Sequence, residues 1–216
     1  KMIHQFTHLW GEPRYWVDEQ EARKVLLGKE TDTGQKLDYQ GFRIGFRDVA
    51  SSTNERTMIA TVLPKNIFLG NTLINSIQPK ENKMLLFIVA LFNSFVIDWL
   101  IRQKVTAHCN MFYVYQLVIP RLTATDPIFN EIVRRTAQLI CTTPDYDDLR
   151  AELNATGFKD LQGQTDPTQR AQLRAELDAL IAHLYGLTDE ELTHILNTFP
   201  LVAEEVKRGV LEKFRD

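Results

Sequence analysis

A chain of 216 residues is long enough for one large domain or two small ones, and 44% hydrophobic with 25% charged residues is ordinary for a globular protein with a packed core. Two cysteines far apart in sequence, Cys109 and Cys141, argue against a disulfide framework and fit a reducing cytoplasm. The net charge of −3 conceals an asymmetry: residues 39–121 carry nine basic against four acidic side chains, and residues 122–216 carry ten against seventeen. A basic middle is either a surface that faces a polyanion or uneven charge of no consequence.

Asp18 to Leu27 is predicted as a short helix, with Asp18 as N-cap and Gly28 as stop. Lys29 to Gln40 is polar and reads as a loop. Phe42, Ile44 and Phe46 then alternate with Arg43, Gly45 and Arg47, the period of a half-buried strand. Such a strand would bury its phenylalanines and send Arg43 and Arg47 out on one open face, a surface suited to a phosphate backbone. Thr57 to Leu63 is a second, β-branched strand that Pro64 ends. Between the two, Asp48 to Arg56 is a polar knot in which Asp48, Asn54, Glu55 and Arg56 are expected to fix a structural loop. Arg43, Arg47 and Arg56 either bind phosphate or pair with Asp48 and Glu55. Asn66 to Ile77 reads as one or two further short strands with a turn at Gly70-Asn71.

Glu81 to Lys104 is predicted as one long helix, apolar on nearly every side over its first half. A membrane span needs about 20 apolar residues in a row. Asn93, Ser94 and Asp98 interrupt this run, which makes it a buried core helix instead. Val105 to Asn110 is a polar bend, and Met111 to Ile119, aromatic and β-branched, reads as a strand closed by Pro120. Helices follow: Asp126 to Ile140, Asp145 to Asn154, Asp166 to Tyr185, one opened by a Thr188/Glu191 capping box, and Leu201 to Phe214. Gly157 to Asp166 is a linker. The expected fold class is α+β: a β-rich lobe with one long buried helix, followed by a C-terminal helical lobe.

Four separated places in this order also carry a resemblance. They are Lys1-Met-Ile-His-Gln-Phe6 with Tyr15-Trp16-Val17; Phe42 to Pro64; Leu91-Phe-Asn-Ser-Phe-Val96 with Tyr115-Gln-Leu-Val-Ile-Pro120; and Arg174 to Leu187 with Ile195-Leu-Asn-Thr-Phe-Pro200. Together they resemble the C-terminal target-recognition region of bacterial adenine-specific DNA methyltransferases of restriction–modification and phage defence. This is the type IIG-like kind, in which modification and recognition share one polypeptide. The resemblance implies a piece of a longer cytoplasmic protein. Residues 1–27 would join the missing methyltransferase domain, 28–120 would form the recognition lobe, and 121–216 the helical lobe. The partners would be double-stranded DNA and that N-terminal domain, with S-adenosylmethionine bound in the missing domain and no cofactor in this fragment. A motif shared by readers of different targets should be scaffold. Base readers are therefore expected outside it, in Lys29–Gln40 and Arg102–Tyr113, and backbone contacts at Arg43, Arg47, Lys65, Arg102, Lys104 and His108.

Catalytic motifs do not turn up. There is no Asn/Asp-Pro-Pro-aromatic loop and no Gly-x-Gly-x-x-Gly turn, and Pro144-Asp145 is followed by Glu152-Leu-Asn154, which lacks the nuclease-type lysine two residues after the acid. His4 and His8 have helical ligand spacing but no third ligand nearby, so no metal site is expected, and Cys109 beside His108 is read as structural. No enzymatic turnover is expected of the fragment. The alternative is an interaction scaffold that docks the methyltransferase or a partner subunit of a defence complex.

Overall fold

The computed structural model describes residues 2–13, 15–76 and 81–216. Helix α1 spans Glu19–Leu27; the Asp18 carboxylate accepts the Glu21 N–H at 3.0 Å, and Gly28, at φ 61°, ends it. The polar stretch after it folds on itself. Arg23 grips Asp32 with two bonds of 2.7 Å, and the pair holds that carboxyl down at about 2.

Strands β1 (Arg43–Arg47), β2 (Ala60–Leu63) and β3 (Leu73–Asn75) make one antiparallel sheet in the order β2-β1-β3. Arg43 lies opposite Leu63, and Phe46 opposite both Ala60 and Ile74. The predicted turn at Gly70-Asn71 is present, closed by the Leu73 N–H on the Gly70 carbonyl at 3.3 Å. Ile77, the end of the predicted strand region, and Lys1, the start of the junction motif, lie outside the described residues.

The open arginine face of β1 is a correction. Phe42, Ile44 and Phe46 enter the core as expected, but the opposite face is covered too. Arg43 is only 5% exposed; it donates to the Ile67 carbonyl at 2.6 Å and to Asn75 Oδ1 at 3.2 Å. Arg47 donates to the Ile3 carbonyl. Burial pushes both guanidinium groups below their usual range. Gly45 sits between them because a Cβ there would meet the Leu63 side chain at 2.7 Å. Alternation identifies which residues share a face; it does not say whether distant chain covers that face.

The predicted long helix is two: α2 (Asn82–Asn93) and α3 (Phe95–Arg102), bent by 61°. Ser94 breaks it. Its backbone is extended, its hydroxyl donates to the Leu91 carbonyl at 2.7 Å, and the same oxygen accepts the Ile97 N–H and so caps α3. The groups freed at the break find partners from elsewhere in the chain. The Asn93 carbonyl accepts from Gln5 Nε2 at 3.1 Å and from Arg56, Phe95 N–H donates to Asp178 at 2.8 Å, and the Asn93 side-chain amide pins the break to both the N–H and the carbonyl of Ala60 on β2. No single described helix is long and apolar enough to cross a membrane, and the bent pair is lined by core residues.

Met111 to Ile119 is not a strand. It forms a short helix, α4 (Met111–Val114), and an irregular run to Pro120. Both edges of β1 are taken, by β2 and β3, and strand propensity without a partner does not make a strand. Then come α5 (Pro127–Ile140), α6 (Asp147–Ala155), α7 (Pro167–Leu184), α8 (Asp189–Asn197) and α9 (Glu204–Arg215), close to the predicted positions. Asp166 caps α7, and the Thr188/Glu191 box opens α8 as expected. The fold is α+β, with the described strands early and the run of helices late. Buried side chains on both sides of residue 120 form one cluster: Phe87 meets Phe129 at 5.0 Å between centroids, and Tyr146 donates to the Val62 carbonyl at 2.6 Å.

Candidate nucleic-acid interface

Asp98 is the hub of the loop between β1 and β2. Its carboxylate is wholly buried on α3 and accepts from Arg56 Nε at 2.7 Å, Arg102 Nε at 3.2 Å and the Thr57 N–H at 3.1 Å. Arg56 also donates to the Asn93 carbonyl, and Arg102 to the carbonyls of Asn54 and Glu55 at 2.6 and 2.7 Å. Both guanidinium groups lie over aromatic rings, Arg56 at 4.0 Å from Phe95 and Arg102 at 4.1 Å from Phe199. The loop is thus clamped by charges that point inward. Neither Asp48 nor Glu55 pairs with Arg56, the pairing weighed from sequence. Asp98 entered the sequence reading only as an interruption of an apolar run. An acid in a helix that is otherwise core is itself the signal of a buried cation.

The six cations expected to face phosphate divide accordingly. Arg43, Arg47 and Arg102 turn toward the protein and donate to backbone carbonyls, although the Nε of Arg43 and of Arg47 is buried without a hydrogen bond. Lys65 reaches Asp148 at the start of α6, at 2.6 Å. Lys104 and His108 remain at an exposed surface, where Lys104 Nζ donates to Gln116 Oε1 at 3.1 Å and His108 Nδ1 is 2.8 Å from Asp48 Oδ2.

That surface is built by the chain from Arg102 to Gln116. It is fixed to the end of β1: Val49 and His108 form a bridge, Ala50 N–H donates to the Ala107 carbonyl, and Cys109 N–H donates to the Asp48 carbonyl. From this base α4 carries Phe112 and, just beyond it, Tyr115 outward, 69% and 79% exposed, beside Val49 and Val118. The aromatics escaped the sequence reading because a strand assignment sent half of this segment inward. The other expected reading loop, Lys29 to Gln40, leads into the opposite end of β1. Five strand residues separate the two, roughly 16 Å at strand rise.

Among the described residues no group of three or more His, Cys, Asp and Glu is placed to hold a metal. His8 instead bonds Asp145 at 3.0 Å. Cys109 and Cys141 are buried, which pushes both thiols up to about 12 and leaves them unreactive at neutral pH. Comparison with known protein families, curated proteins and solved structures finds no match for this chain.

Proposed function

We propose that this chain is the DNA target-recognition region of an S-adenosylmethionine-dependent N6-adenine DNA methyltransferase of restriction–modification or phage defence, acting in the bacterial cytoplasm and without turnover of its own. The observation that carries the reading is the agreement between motif and geometry. The segment with the strongest family resemblance, Phe42 to Pro64, turns Arg43, Arg47 and Arg56 toward the protein and ties its loop to Asp98 through Arg56 and the Thr57 N–H, as scaffold shared by readers of different targets should. The segment beside it, Gln103 to Gln116, is based on β1 and presents amide, imidazole, ammonium and aromatic groups at an exposed surface. Amides and imidazoles suit hydrogen bonding to base edges, aromatic rings suit thymine methyls, and Lys104 with His108 suits phosphates.

The missing domain would supply the cofactor and flip the adenine. Exposed Trp10, Tyr15 and Trp16, the last 90% exposed, favour a role for the N-terminal segment in docking that domain. The test is titration of labelled duplex at several salt concentrations. Only two or three of the expected cations face outward, so the log–log slope should be about −2 to −3, at roughly −0.9 per phosphate neutralised. Lack of any salt-dependent duplex binding would favour the scaffold reading.

A further inference from the structure

A cavity of about 610 Å³ lies between α7, α9 and the α2–α3 break, within the size range of small-molecule sites. Its walls include Leu177, Ile181 and Val202 from the core and Val206 from α9. Three arginines cluster on this side of the molecule. Arg56 is held by Asp98, and Arg170 by the carbonyls of Leu139 and Gln164 at 2.9 and 2.8 Å. Arg174, which lines the cavity, makes no hydrogen bond or ion pair among the described residues, and its Nε is buried without a partner. Asp178, one turn further along α7, and Glu55 act on it through charge but accept no hydrogen bond from it; the Asp178 carboxylate accepts the Phe95 N–H instead.

A guanidinium with a buried N–H that makes no hydrogen bond is costly, and an anion that accepts from it directly is what relieves it. We propose that this cavity binds a small organic monoanion, a carboxylate on an apolar body, with the head paired to Arg174 and the body against Ile181, Val202 and Val206. Glu205 and Glu212, which also line the cavity, oppose a second negative charge, so a carboxylate fits better than a dianionic phosphate.

Octanoate, 1-octanol and octyl phosphate are the probes, titrated calorimetrically into the whole chain. Octanoate should bind about ten- to a hundredfold more tightly than 1-octanol, the range of a charge-assisted hydrogen bond. Arg174→Gln should abolish that difference while leaving the weaker octanol binding. Val206→Phe, which fills the cavity from a half-exposed position and keeps the arginine, should weaken all three. Equal binding of octanoate and octanol, or a preference that survives Arg174→Gln, would overturn the proposal. So would octyl phosphate binding more tightly than octanoate.

Discussion

Asp98→Ala is the change that most sharply tests how the loop between β1 and β2 is held. The substitution leaves two guanidinium groups, each with a side chain only 8% exposed, without their carboxylate, and frees the Thr57 N–H as well. Removing one partner of a buried ion pair costs about 3–5 kcal/mol, because the remaining charge stays buried. Here two charges are stranded, although the faces of Phe95 and Phe199 and the carbonyls of Asn93, Asn54 and Glu55 still hold them in part. The lower half of that range is therefore expected. With a urea dependence of about 2–3 kcal/mol per molar, the midpoint should fall by about 1–2 M. Hydrogen exchange should show Thr57 and Met58 losing protection before β1 does, since Asp98 accepts from both amides. Replacing all three members by apolar residues, Asp98→Leu with Arg56→Met and Arg102→Met, should restore much of the loss, because no charge is then left stranded. A single Asp98→Ala loss below about 1 kcal/mol would refute the clamp as the source of the loop's rigidity.

Three further outcomes follow from the same geometry. Burial raises the Asp178 carboxyl to about 6, so its neutral form favours the fold; that contribution is complete below about pH 4 and fades as pH rises through 6, a loss of about 3 kcal/mol. Urea midpoints at pH 4.5 and 7.5 should show this slope in the wild type and not in Asp178→Asn, with His8, whose pKa burial lowers, contributing alike to both. Arg43→Ala should lower stability by about 1.5–3 kcal/mol in urea while leaving the salt slope of duplex binding unchanged; Lys104→Ala should do the reverse, flattening the slope by about one unit. Gly163→Ala should destabilise by about 1–3 kcal/mol in a thermal melt, because its Cβ would meet the Cys141 carbonyl oxygen at 1.9 Å and neither side is a flexible chain end.

Local chemistry was the legible part of this fold. Caps at Asp18, Asp166 and Thr188, the alternation in β1 and the stop at Pro64 all act over a few residues, and each marks an element where it was expected. What stayed hidden depends on groups far apart in the chain. The break at Ser94 is stable because Asn93 and Phe95 find Ala60 and Asp178, 33 and 83 residues away. The second face of β1 is closed by Ile3 and Ile67, so two arginines that period two placed in solvent are inside. Phe112 and Tyr115 fit a strand pattern, but their segment pairs with no strand of the sheet and folds as the short helix α4 instead.

Methylome sequencing tests the central claim most directly. Cells would carry the full-length methyltransferase containing this chain, with substitutions at Phe112, Tyr115 and Gln116 on the exposed surface. A shift or relaxation of the methylated sequence motif is expected, at about 1–3 kcal/mol for each lost base contact. Methylation that persists with an unmoved motif across all three substitutions would contradict the assignment of this surface to base reading.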